Sequence, residues 1–313
     1  MKSFADLKIV FMGTPEFAVA SLDALVEAGA RIVGVVTAPD KPAGRGLQLQ
    51  QSAVKKYAVE KGLTVLQPVK LKDPAFIESL RELQADLQIV VAFRMLPEIV
   101  WNMPPMGSVN VHGSLLPQYR GAAPINWAVI NGDSTTGVTT FKLKHEIDTG
   151  DILLQASMPI GENETAGEVH DKMKELGATL LVQTVQGIAA GTIREQPQAS
   201  SQEPLKHAPK LYTETCHINF SLPVKQVHDL VRGLSPFPGA FTHLKGKTLK
   251  IYRSMIVPEP NANKRAEAGA WKTDGKTYLY FACADGWLSV LELQLEGKKK
   301  MPVTDFLRGY RFE

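Results

Sequence analysis

The stretch LKIVFMGTPEFAVASLDALVEAGARIVGVVTA, Leu7 to Ala38, decides the fold. LKIVFMG is an apolar run of strand length. After the break at Thr14 and Pro15, FAVASLDALVEAG repeats its apolar residues at helical spacing and stops at Gly29. RIVGVVTA then reads as a second buried-type strand. The alternation continues downstream: SAVKKYAVEKG (Ser52 to Gly62) as helix, TVLQP (Thr64 to Pro68) as short strand, PAFIESLRELQ (Pro74 to Gln84) as helix and LQIVVAF (Leu87 to Phe93) as strand. Strands alternating with helices of this length form βαβ units. They predict an α/β, mostly parallel, doubly wound sheet for the first half.

Near residue 190 the texture changes. IREQPQASSQEPLKHAPKL (Ile193 to Leu211) has no periodicity and is rich in Pro, Gln and Ser, as a linker is. Beyond it come one helix, VKQVHDLVRGL (Val224 to Leu234), and short strands broken by glycines, from Ala240 to Val257 and from Gly269 to Leu295. That pattern predicts a small barrel. The expected division is 1–189, a linker over 190–207, and 208–313.

The chain has 313 residues, enough for two cores, and its 44% hydrophobic and 21% charged content is that of a folded protein. Two cysteines, Cys216 and Cys283, are too few for a disulfide framework or a four-ligand zinc site, so free thiols are expected. No run of about 18 apolar residues occurs, and the start carries a charge inside its apolar stretch; a cytoplasmic location with no membrane partner is the expectation. The net charge of +3 conceals an asymmetry. Residues 206–313 hold 17 Lys+Arg against 10 Asp+Glu, whereas the first 205 hold 18 against 22. A nucleic-acid partner selects for such a basic half, although an ordinary basic surface produces the same count.

Chemistry concentrates in SVNVHGSLLPQYRGAAPINWAVINGD, Ser108 to Asp133. Strand residues two apart share a face, so Asn110 and His112 are presented together, opposite Val109 and Val111. A histidine by itself would read as satisfying a local hydrogen bond; beside an amide it gains a second reading. Downstream, IDTGDILL (Ile147 to Leu154) places Asp148 and Asp151 around Gly150 before an apolar strand. Asp151 is expected to cap backbone groups, and Asp148 is the carboxylate assigned to chemistry. An amide donor, an imidazole and a carboxylate suffice for acyl transfer to an amine: the amide stabilises the oxyanion, the imidazole moves protons and the carboxylate orients it.

Other signatures are missing or weak. Gly13 is followed by Thr, Pro and Glu rather than a G-x-G-x-x-G turn, and no G-x-S-x-G or H-E-x-x-H is present. Gly246-Lys247-Thr248 and Gly275-Lys276-Thr277 read as hairpin turns. The loop APDKPAGRGLQLQQS (Ala38 to Ser52), with Lys41 and Arg45, is long enough to be functional or a surface excursion. GKKKM (Gly297 to Met301) is a solvated turn or a phosphate contact.

NVHGSLLPQYRG followed by IDTGD resembles the folate-dependent formyltransferases, whose hallmark is Asn-x-His, then Ser-Leu-Leu-Pro, then a distal Asp-Thr-Gly. The resemblance implies a Rossmann-like catalytic domain with Asn110, His112 and Asp148 as the catalytic trio. It implies 10-formyl-tetrahydrofolate as co-substrate, with no metal. Ser114, Leu115, Leu116 and Pro117 would line its pocket, together with the loop AFRMLP, hence Phe93, Arg94, Met95 and Leu96. Relatives commonly have a small residue where Arg94 stands, and a methionine and a glycine in the segment that here reads KLKHE, Lys142 to Glu146.

GTPEFA, PAGRG, RGLSPFPGA and the terminal GKKKMPVTDFLRGYRF are similar to the methionyl-tRNA branch. That branch adds an oligonucleotide-binding-like (OB-like) barrel. The branch implies a monomer acting on methionyl-initiator tRNA, with Lys41 and Arg45 near its acceptor end and Lys298, Lys299 and Lys300 on its phosphates. The rival readings are an amino-sugar-nucleotide formyltransferase, a glycinamide ribonucleotide formyltransferase, a formate-releasing hydrolase and a non-catalytic RNA-binding protein.

Overall fold

The computed structural model describes residues 2–43, 48–198, 204–259 and 266–311. Two compact units are present, and each is built from interleaved segments. One comprises 1–120, 137–158 and 171–206, the other 121–136, 159–170 and 207–313.

The first unit is organised by a seven-stranded sheet. From edge to edge its strands are Ile152–Pro159, Thr135–Lys142, Ser108–His112, Leu87–Val91, Lys8–Gly13, Arg31–Val36 and Val65–Leu66. Lys8–Gly13 pairs in parallel with Arg31–Val36 on one side and with Leu87–Val91 on the other, and Leu87–Val91 pairs in parallel with Ser108–His112. The order reverses at the centre, as in Rossmann-like sheets. Direction changes only at Thr135–Lys142, which runs antiparallel to Ser108–His112.

Ile9, Val10, Phe11 and Met12 are all fully buried. A strand covered on both faces needs a continuous apolar run, and this explains why LKIVFMG does not alternate. Helices Glu16–Glu27, Ala53–Glu60 and Pro74–Glu82 occupy the predicted intervals. The second starts where the Ser52 hydroxyl accepts from Lys55 N at 3.0 Å, the third where Asp73 accepts from Ala75 N with Pro74 in the first turn.

The second unit carries an antiparallel sheet ordered Ala240–Leu244, Lys247–Pro258, Gly286–Leu295, Leu279–Ala282 and Trp271–Thr273, with Met301–Pro302 against Gly286–Leu295. Its curled, OB-like form encloses Leu249, Ile251, Phe281, Leu288, Val290 and Leu293. Val227 and Val231 of helix Val224–Gly233 and Phe306 of helix Val303–Gly309 complete that core. Lys245 and Gly246, both at positive φ, turn the first hairpin, and Asp274 accepts from the Lys276 and Thr277 amides. Both Gly-Lys-Thr triplets therefore lie at turns. Cys216 and Cys283 are free and buried.

Segments 121–136 and 159–170 join this unit through specific contacts. A Cβ on Gly233 would lie 2.5 Å from the Ile130 side chain, and Asn126 donates to the Gly233 carbonyl at 2.8 Å. Buried Arg232 pairs with buried Asp229 at 2.7 Å and also donates to the carbonyls of Gly161 and Glu164.

Candidate active site

Strand register aligns Gly13 with Val91, and Val91 with Val111. The loops that follow these parallel strands therefore emerge side by side at the carboxyl edge of the sheet, where open α/β sheets bind ligands. Three of the five non-glycine residues with positive φ among those described lie at this edge: Ala92, Tyr119 and Asp148 at φ 46°, 60° and 56°. A left-handed residue with a side chain costs about 1 kcal/mol or more and persists where surrounding structure enforces it.

His112 ends its strand, 6% exposed, and Asn110, two residues earlier, is half-buried. His112 Nε2 lies 2.9 Å from the Tyr119 carbonyl oxygen. A carbonyl only accepts, so Nε2 carries the hydrogen and Nδ1 is the nitrogen left to take up a proton. Nδ1 faces Asp148 Oδ2 at 3.8 Å, and both side chains are largely buried. The three residues read from the sequence as one site are thus placed by different means. Asn110 and His112 share a strand face, while Asp148 arrives from a loop 36 residues beyond His112.

Two constraints fix the Asp148 loop. A Cβ on Gly150 would lie 1.6 Å from the Lys142 carbonyl oxygen, so the loop closes onto the preceding strand only with glycine there. The Gln198 amide donates to the carbonyls of Asp148 at 2.8 Å and Gly150 at 2.9 Å, and its oxygen accepts from Arg120. Neither Gln198 nor Arg120 was singled out from the sequence, since Gln198 lies in the segment read as linker. Asp151 behaves differently from the backbone cap expected of it: its carboxylate accepts from Lys144 Nζ at 2.8 Å, within the KLKHE segment. Burial pulls the Lys142 ammonium below its ordinary value, and this side chain donates to the Met106 carbonyl.

The other predicted contacts fall as follows. Ser114 is fully buried and donates to the Gln118 carbonyl at 2.6 Å. Thr139 donates to the Ser114 carbonyl and accepts from Leu116 N, and Gln155 donates to the Leu116 carbonyl. Ser114 and Leu116 thus hold the loop, while Leu115 and Pro117 are half-buried. In the Ala92–Pro97 loop Leu96 is buried, Phe93 packs against the core and Met95 is 73% exposed. Arg94 donates to the carbonyls of Pro68 and Val69, tying this loop to its neighbour.

Lys41 is exposed in a two-strand ribbon, Lys41–Ala43 with Gln48–Gln50; Arg45 lies outside the described residues. Beside the ribbon, Lys55 and Gln67 hold the Asp40 carboxyl below its usual range. Lys298, Lys299 and Lys300 are exposed, with Lys300 also paired to Glu292. Among the described residues no group of three or more His, Cys, Asp or Glu could hold a metal ion, and no helix is long and apolar enough to cross a membrane.

Residues 7–185 match the model of the formyl transferase family and residues 210–311 that of the formyl transferase C-terminal domain. A protein from Phocaeicola vulgatus named methionyl-tRNA formyltransferase is 57% identical over 98% of this chain and 96% of its own. One of the same name from Parabacteroides distasonis is 55% identical over the same shares. The chain belongs to the methionyl-tRNA formyltransferase family. A solved N-formyltransferase from Helicobacter canadensis, crystallised with folinic acid and dTDP-3-aminofucose, superposes with TM-score 0.68 at 20% identity. The match covers 94% of this chain and all of that one, a likeness of fold.

Proposed function

We infer that this chain transfers the formyl group of 10-formyl-tetrahydrofolate to the free amino group of methionyl-initiator tRNA, giving N-formylmethionyl-tRNA for translation initiation. The observation that carries the reading is the buried His112–Asp148 pair, 3.8 Å apart at the carboxyl edge of the sheet in a chain of this family. Asn110 stands two residues before His112 on the same strand face.

In this mechanism the amine nitrogen bonds to the formyl carbon, and the carbonyl oxygen gains charge. The Asn110 amide donates to that oxygen; a single such donor contributes about 10²–10³ in rate. One proton leaves the attacking nitrogen and one reaches N10 of the folate as the N10–carbon bond breaks. His112 Nδ1 is placed to take and return that proton, and the Asp148 carboxylate stabilises the imidazolium while it exists. The folate is held by the Ala92–Pro97 loop and the Ser114–Pro117 segment, chiefly through their backbone, because Ser114 and Leu116 face inward.

The tRNA is held by the Lys41–Arg45 loop and by Lys298, Lys299 and Lys300. These lysines contact phosphates, which position without reading sequence. The protein acts in the cytoplasm as a monomer. Transfer of labelled formyl to initiator methionyl-tRNA, with elongator methionyl-tRNA and amino-sugar nucleotides as parallel acceptors, tests this. Transfer confined to the initiator is expected; transfer to an amino sugar alone would overturn the acceptor assignment.

A further inference from the structure

We propose that Gln198 is a positioning residue for the His112–Asp148 pair, acting as the link that closes a ring of contacts around it. The proposal rests on the catalytic reading above. The ring can be followed atom by atom. His112 Nε2 donates to the Tyr119 carbonyl at 2.9 Å. The next residue, Arg120, donates through Nε and Nη2 to Gln198 Oε1 at 3.1 and 2.6 Å. Gln198 Nε2 then donates to the carbonyls of Asp148 and Gly150 at 2.8 and 2.9 Å, and Asp148 Oδ2 returns to His112 Nδ1 at 3.8 Å. The His112 ring, through the Tyr119 carbonyl, and the backbone that carries Asp148, through its own carbonyl, are therefore tied into one network.

The chemistry at residue 198 is restrictive. One end of the side chain faces a guanidinium, which only donates, and the other faces two carbonyls, which only accept. A carboxylate could serve the first and an ammonium the second; the Gln198 amide, with an accepting oxygen and two N–H donors, serves both at once. The chain around Gln198 is anchored independently, since Gln196 and Ile152 exchange backbone hydrogen bonds at 2.9 and 2.7 Å. Gln198 thus reaches the Asp148 loop from a fixed base. Asp148 and Tyr119, at φ 56° and 60°, are conformations that need such external support.

The test is a double-mutant cycle on the full chain, read as single-turnover formyl transfer to methionyl-initiator tRNA. Gln198→Ala is expected to lower the rate about tenfold or more with the KM for both substrates little changed. In a His112→Ala background the same substitution should have almost no further effect, because it acts through that pair. Gln198→Glu, equal in size but unable to donate to the two carbonyls, should resemble Gln198→Ala. It also serves if the alanine variant loses thermal stability. An unchanged rate for Gln198→Ala, or an equal loss with and without His112, would overturn the proposal. Absence of transfer by the wild-type chain would instead overturn the catalytic reading on which it rests.

Discussion

The Tyr119 carbonyl oxygen accepts from His112 Nε2, so the basic nitrogen of His112 is Nδ1, the one turned toward Asp148. The strand supplies the histidine, but the loop seven residues later chooses its tautomer. Removing the ring should therefore remove the proton path alone. His112→Ala is expected to lower formyl transfer by about 10² or more while initiator tRNA binding stays within a few-fold of wild type. Stopped-flow turnover alongside filter binding separates the two, and wild-type turnover in the variant would exclude His112 from the chemistry.

Gly150→Ala should be as damaging as a change in the trio itself. Its new methyl group would stand 1.6 Å from the Lys142 carbonyl, a backbone atom at the end of strand Thr135–Lys142, so the loop carrying Asp148 has to move. A displacement of about 1 Å there is expected to cost about 10² in rate, with about 1–3 kcal/mol of stability. Activity and chemical denaturation measured together check this; full activity would mean that the loop closes by another path.

Acid should weaken the second unit through His228. Burial pushes this histidine below its ordinary value of 6.5, against the favourable pull of Asp229 and the Glu162 carbonyl. The unfolded chain therefore binds the proton first. The stability tied to the neutral ring is fully present above about pH 6.5 and is lost as pH falls toward the lower native value. The melting temperature of His228→Gln should accordingly fall less steeply than that of wild type between about pH 7 and pH 5; parallel curves would dismiss the histidine as the cause.

Replacing Arg45 by Ala is expected to impair use of methionyl-tRNA far more than any reaction of the folate alone, because the loop is assigned to the acceptor end. Comparing kcat/KM for tRNA with tRNA-independent folate hydrolysis decides it. Equal losses would make the loop a support for the fold.

The architecture was legible because it is written in periodicity. Ile9 to Met12 have no polar residue to alternate with, and that is what a strand buried on both faces requires. Asn110 and His112 were legible as a pair for the same reason, since spacing along a strand fixes which face a side chain takes. Gln198 was not. Its contact with Asp148 spans 50 residues and involves one amide in a stretch of polar composition, which leaves no period or motif to read. Asp151 was misread for a related reason: its partner, Lys144, lies seven residues before it, and no turn pattern marks that pairing. The assignment of 121–136 and 159–170 to the second unit depends on shape fit, such as Gly233 against Ile130, and shape fit is invisible before folding.

Arg232 carries this interleaving to a practical end. Its guanidinium, almost wholly enclosed, donates to the Gly161 and Glu164 carbonyls, 71 and 68 positions earlier in the chain. A gene fragment beginning at residue 207 would encode the whole antiparallel sheet yet leave those donors facing nothing. One cut cannot release either half intact, and a bisected version of this protein would have to be rebuilt from complementary pieces expressed together.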